Sequence, residues 1–284
     1  MSRLVTTGSL ARFVPIQSER FTVPALDGVH LRTLTWGKRS QPVVVFLHGG
    51  GANAHWWDHL AEPLSEQYRV VALDFRGHGD SDHPRDLMVG AFNHDLEALL
   101  THLGPPPIAL VGHSMGGHVA LDHAAHHPET RSAVLIDILR GASKRSRRSA
   151  RLALTLRRTY ATRADAVRRF RFFPPAPEAP EALRAAIAEH SVQREPDGRY
   201  GFAFDPRWFS IPSRPRPELS SVRCPTLIVR GVESELLTRE GARALVDELP
   251  RGCLAEIAGA GHQTHLENPD AVLAALRNFL SGIP

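Results

Sequence analysis

One serine in this chain stands in a setting suited to nucleophilic chemistry. Ser114 is the centre of Gly112-His-Ser-Met-Gly116, preceded by the apolar run Ile108 to Val111 and followed by small and apolar residues as far as Ala125. The run suits a strand buried on both faces of a parallel sheet, and the small residues suit a helix lying close against it. Between them the glycines permit a turn so tight that the serine oxygen stands exposed at the strand's end. The helix then directs free N–H groups, starting with Met115, and the positive end of its dipole at the place where negative charge develops in acyl transfer. A hydroxyl is a weak nucleophile near neutral pH and needs a base, itself oriented by an acid. His262, in the glycine-flanked loop Ala258-Gly-Ala-Gly-His262, suits the base. Asp137, directly after the apolar run Ala133 to Ile136, puts a carboxylate at the strand end where such sites form.

The elements that must position these groups alternate along the chain. Phe21 to Ala25 and Val29 to Trp36 read as antiparallel edge strands joined at Asp27-Gly28. Val43 to Leu47 is a buried strand running into His48-Gly-Gly-Gly51, which is either a tight loop or, with the N–H of Met115, an oxyanion hole. Asn53 to Gln67 reads as a helix whose Trp56 and Trp57 either floor a pocket or pack in the core. After the strand Tyr68 to Leu73, Asp74, Arg76 and His78 read as a structural hydrogen-bond cluster. The alternation stops at Arg140. Residues 140–217 hold helical stretches (Arg151 to Phe170, Pro180 to Ser191), a turn at Pro196-Asp-Gly198 and the aromatic cluster Tyr200, Phe202, Phe204, Trp208, Phe209. This insertion is read as a cap, with 1–139 and 218–284 forming the core. The strand–helix order resumes to the C-terminus and specifies a mostly parallel sheet with helices on both faces.

Composition narrows the function classes. With 284 residues, 42% of them hydrophobic, the chain can bury one large core. No run approaches the roughly 20 apolar residues of a membrane span, and the first residues lack a signal-peptide pattern, so a cytoplasmic location and no membrane partner are expected. The two cysteines, Cys224 and Cys253, are expected as buried free thiols. No metal and no cofactor are expected; His123, His126 and His127 read as surface or helix-end residues. Twelve Lys or Arg against one acid give the stretch Arg140 to Arg171 a charge of +11, so a total of +4 leaves −7 for the rest. A basic helix is usually a solvated face, and no nucleic-acid partner is expected.

The sequence resembles the α/β-hydrolase superfamily over nearly its whole length outside the insertion. His48-Gly-Gly-Gly51, Asp74-Phe-Arg-Gly-His-Gly79, Gly112-His-Ser-Met-Gly116, Cys224-Pro-Thr-Leu-Ile228 with Gly231, and Gly261-His262 with Glu267-Asn-Pro269 carry the likeness. It implies an α/β fold with an eight-stranded, mostly parallel sheet, Ser114 as nucleophile, His262 as base and the N–H groups of Gly50 and Met115 as the oxyanion hole. Gly49, His113, Trp56, Trp57 and Trp208 are taken with them as substrate contacts. Members of that family usually carry an aspartate shortly after the glycine that follows the penultimate strand. Here the loop reads Gly231-Val-Glu-Ser-Glu235. Glu235 is therefore favoured as the acid, with Asp137 as the alternative and Glu233 third. The expected activity is serine hydrolysis of an ester, thioester or activated carbonyl, or of a C–C bond, in a small substrate. That substrate is expected to be aromatic or anionic, or an acyl group on an acidic carrier drawn by the arginines. The competing expectation is a lyase, cyclase or ligand-binding protein of the same fold.

Overall fold

Strand-forming residues alternate their side chains between two faces, and in this protein both faces are apolar. In the computed structural model, which describes residues 17–22, 28–210 and 214–283, Val44 and Phe46 enter one buried cluster while Val45 and Leu47 enter another. Val70 and Ala72 divide from Val71 and Leu73 in the same way. Such strands must be covered on both sides.

The strands are β1 (Gln17–Thr22), β2 (His30–Trp36), β3 (Val43–Leu47), β4 (Arg69–Asp74), β5 (Ala109–His113), β6 (Ala133–Ile136), β7 (Thr159–Tyr160), β8 (Val192–Arg194), β9 (Tyr200–Phe202), β10 (Thr226–Gly231) and β11 (Gly252–Ile257). Eight form one sheet in the order β1-β2-β4-β3-β5-β6-β10-β11. β2 runs antiparallel to β1 and β4, and all other pairs are parallel. The helices are α1 (Asp58–Leu64), α2 (Ala91–Leu103), α3 (Met115–His126), α4 (Lys144–Thr155), α5 (Arg163–Arg169), α6 (Glu181–His190), α7 (Arg239–Glu248), α8 (Thr264–Glu267) and α9 (Pro269–Ser281). α1 and α9 contribute Leu60, Leu64, Val272 and Leu276 to one cluster; α2, α3 and α7 contribute Leu96, Leu121 and Leu245 to the other.

The edge strand lies earlier than expected: β1 ends at Thr22, paired with His30, and Ala25 and Asp27 fall outside the described residues. Cys224 is buried as expected, but Cys253 is exposed, because β11 is the edge of the sheet and its side chain faces outward.

The insert between β6 and β10 differs most from its sequence reading. The single helix expected from Arg151 to Phe170 is broken into α4, β7 and α5. Thr159 and Tyr160 pair with Gly201 and Tyr200, and β9 pairs with β8, so a three-stranded antiparallel sheet joins the helices. β-branched and aromatic side chains favour that pairing. The turn at Pro196-Asp-Gly198 joins β8 to β9, with Gly198 at φ +83°. The insert has its own apolar cluster, Phe170, Phe172, Leu183 and Ile187, which reaches Ala52, Trp56 and Leu266 of the core.

Candidate active site

The elbow at Ser114 is enforced by contact. A Cβ on Gly112 would strike the backbone of Gly116, and one on Gly116 would strike the carbonyls of Leu47 and His48. Only glycine lets α3 cross so close to β3 and β5. Ser114 takes φ 48°, ψ −110°. Its N–H donates to the Ile136 carbonyl (2.9 Å). Met115 is the first residue of α3, so its N–H has no carbonyl within the helix to bond.

Ser114 and Asp137 are the two non-glycine residues with positive φ among the described residues (48° and 45°). They follow neighbouring strands, β5 and β6. Backbone in this region is costly and persists where the surroundings over-determine it. Asp137 is fully buried. Its Oδ1 accepts from Ser234 Oγ (2.6 Å) and stands 2.8 Å from His262 Nδ1, while Oδ2 accepts from the N–H of Gly231 (3.1 Å). With Nδ1 engaged, Nε2 is the ring nitrogen left for proton transfer.

The favoured acid, Glu235, is placed elsewhere. It is exposed, and its Oε2 accepts from Ser146 Oγ of α4 (3.1 Å). Glu233 accepts from the N–H of Ala260 (2.8 Å) and so fastens the histidine loop rather than the ring. The loop after β10 meets the carboxylate of Asp137 with the hydroxyl of Ser234, and the carboxylate that faces the His262 ring stands at the end of β6. Ser234 carried no sequence signal, since its role depends on a partner 97 positions away.

His113 and Gly49 lie against Ser114. Nε2–H of His113 donates to the His262 carbonyl (2.9 Å), tying the nucleophile strand to the histidine loop. Burial, reinforced by the neighbouring His262, holds the His113 pKa well below the ordinary imidazole value. A Cβ on Gly49 would lie 2.7 Å from His113 Nδ1 and 3.4 Å from Ser114 Cβ. Gly50 faces the insert, where the same construction meets Phe209 Cε1 at 2.7 Å and Leu154 at 3.3 Å. These two apolar side chains roof the glycine loop.

His48 shapes that loop. The N–H of Phe75 donates to its Nε2 (3.2 Å), so Nδ1 carries the proton and donates to the Gly49 carbonyl (2.7 Å). Burial lowers its pKa to about 4, keeping the ring neutral as this arrangement needs. In a trans peptide the C=O and N–H point in opposite directions, so the N–H of Gly50 points away from His48.

The tryptophans divide. Trp57 packs on Phe46 in the sheet core (ring centroids 4.8 Å apart), and Trp208 packs on Phe92 (5.2 Å) over Gly77. Both rings are buried, each against an apolar ring. Trp56 joins the insert's apolar cluster to the core. Asp74, Arg76 and His78 are structural, as three separate staples: Asp74 accepts from Ala54 and Asp80, Arg76 pairs with buried Asp95 (2.6 Å), and His78 Nδ1 meets the Arg76 carbonyl.

Beside His262 a cavity of about 530 Å³ opens between α4 and the loops after β10 and β11. Arg145 is its one cationic wall residue among the described residues, against Glu178, Glu233, Glu235 and Glu267. Elsewhere in the insert Arg157, Arg163 and Arg168 pair with Glu195, Glu189 and Asp165, and Arg140 pairs with Glu248 of the core.

A sequence profile of the alpha/beta hydrolase family matches residues 44–275. The chain is 24% identical over 261 residues to a Haemophilus influenzae protein described as an esterase/lipase, covering 84% of this chain and 83% of that one. It is 26% identical over 271 residues to 3-oxoadipate enol-lactonase 2 of Acinetobacter baylyi, covering 94% and 100%. Some further relatives are matched over 105 to 112 residues, about a third of their own length. Among solved structures, E-2-(acetamidomethylene)succinate hydrolase superposes with a TM-score of 0.79 at 24% identity, covering 94% of this chain and 99% of that one. No helix among the described residues is long and apolar enough to cross a membrane.

Proposed function

Because the chain belongs to the alpha/beta hydrolase family, we propose that it is a serine hydrolase in which Ser114, His262 and Asp137 act together on an ester, lactone or thioester. The contact that carries the reading is the 2.8 Å approach of His262 Nδ1 to the buried Asp137 carboxylate, on a loop tied to the strand of Ser114 through His113. In the proposed cycle His262 Nε2 removes the Ser114 Oγ proton as Oγ bonds to the substrate carbonyl carbon. The N–H groups of Gly50 and Met115 receive the developing oxyanion. The tetrahedral species collapses, His262 returns the proton to the leaving group, and an acyl-enzyme remains. Water, deprotonated by His262, then releases the acid and restores Ser114.

The insert acts in this reading as a cap, with Leu154 and Phe209 over Gly50 offering an apolar surface to the acyl chain. On the His262 side of the site, the cavity wall sets four carboxylates against Arg145, which favours a neutral group over an anion there. The non-hydrolytic alternative is disfavoured by a carboxylate, Asp137, within reach of the His262 ring although the loop after β10 has no aspartate. Incubation with a fluorophosphonate and with a series of p-nitrophenyl esters tests the proposal. Ser114→Ala is expected to abolish labelling and to lower kcat/KM by about 10⁵-fold or more. Unchanged turnover in that variant would sink it, and product analysis would separate ester from C–C cleavage.

A further inference from the structure

Three side chains that the proposed reaction leaves unused meet at the seam between sheet and insert. His55 and Asp58 lie on the turn and helix that follow the glycine loop, and His190 is the last residue of α6. One donor atom from each lies within 4.8 Å of the others. His55 Nδ1 and Asp58 Oδ2 are 3.0 Å apart, and the rings of His55 and His190 stack at 3.8 Å. Asp58 is 7% exposed, and its other oxygen, Oδ1, is buried without a hydrogen-bond partner among the described residues. A buried carboxylate oxygen in that condition costs free energy until a donor or a cation meets it.

We propose that His55, Asp58 and His190 bind a divalent transition metal of the zinc class and that the ion latches the insert to the core. Two imidazole nitrogens and a carboxylate oxygen form a donor set that zinc, cobalt or nickel accepts. Ligand atoms around tetrahedral zinc stand about 3.3 Å apart. The His55–Asp58 pair is already close to that spacing, so the ion replaces the proton the two share. His190 is exposed at its helix end and turns its ring out of the stack to bring a nitrogen in. Asp74 and Asp80 add negative potential at His55, and Arg163 beside His190 opposes it. A water completes the fourth position. The same seam is stitched by Asn53 Nδ2 donating to the His190 carbonyl (2.9 Å) and Trp56 Nε1 to Ser191 Oγ (3.2 Å). The ion would therefore fasten the insert to the segment that follows the glycine loop.

Untagged protein, stripped with chelator, would be titrated with Zn²⁺ in a calorimeter and melted with and without the ion. One equivalent is expected to bind, and Tm should rise by roughly 5 °C at hundredfold excess over Kd. His190→Gln sits on an exposed helix end and should keep the metal-free Tm while losing the rise. His127→Gln dissolves another histidine stack, with His123 at 4.0 Å, and should keep the rise. Co²⁺ should give the intense visible bands of a tetrahedral site in the parent and lose them in Asp58→Asn, a readout independent of stability. No saturable binding, or a Tm rise that survives His190→Gln, would overturn the site.

Discussion

The sheet core and the insert solve different problems with different residues. In the core, strand faces are apolar on both sides, the Arg76–Asp95 pair is buried, and both positive-φ residues sit at strand ends. Residues 140–171 of the insert carry a charge of +11, more than the chain's total of +4. The insert packs a small cluster around Phe170 and Ile187 and meets the core at Trp56, at Asn53–His190, at Ser146–Glu235, at Arg140–Glu248 and at Trp208–Phe92. In the proposed reading, bond making falls to the sheet core and admission of substrate to the insert. The difference teaches that the two can be perturbed separately.

The sharpest way to break that division is at the acid. Asp137→Asn is expected to lower kcat by about 10⁴-fold, as a triad carboxylate does, whereas Glu235→Gln at the insert's edge should change it less than about twofold. Steady-state kinetics on one ester would decide, and the reverse order would move the acid to the insert side. Acidification probes the core next. Burial holds His48, His59 and His118 at about 4, with Arg216 adding to the effect at His118. The unfolded rings take up protons near 6.5 and the folded ones do not until about 4. Their stabilisation is therefore complete above about 6.5 and is lost as pH falls towards 4, by up to about 3 kcal/mol for each fully buried ring. Asp74, raised by burial to about 6, works in the opposite direction with Asp58 and Asp95, also raised by burial, while His78, His113 and His265, held well below the ordinary imidazole value by burial, add to the effect of the three rings. The urea midpoint should therefore fall between pH 7.5 and 5, and a flat profile would contradict the buried neutral rings.

Smaller effects are expected from the insert. Phe209→Ala removes part of the roof over Gly50 and should lower kcat/KM for long apolar acyl chains about tenfold, leaving short ones nearly unchanged. Equal losses across chain lengths would mean that Phe209 supports the glycine loop instead. Least of all, a carboxylated and a neutral version of one ester should differ less than about threefold at low salt, given the acidic cavity wall. A large preference for the anion would restore a steering role to the arginines.

Ser114 and the glycine loop were legible in the sequence because the requirements are local: a buried strand, small residues for a close crossing, a helix start. The acid was not. Asp137 and Glu235 both follow strands, and only the side-chain directions in space, with Ser234 Oγ on Asp137, separate them. Trp57 and Trp208 were read as substrate contacts because an aromatic residue near a loop fits a pocket and a core equally well. The pairing of β7 with β9 spans some 40 residues and has no short-range signal. The same holds for His55 and His190, whose stack joins positions far apart in the chain.

The two positive-φ residues set a limit on the heat resistance of this protein. Each holds its backbone where a glycine would rest more easily, at a cost of roughly 1–3 kcal/mol. A lineage selected for endurance alone would replace both with glycine and lose the hydroxyl and the carboxylate together. Keeping them means that reactivity is retained as tension in the chain, and that a hardier descendant must find its added stability elsewhere.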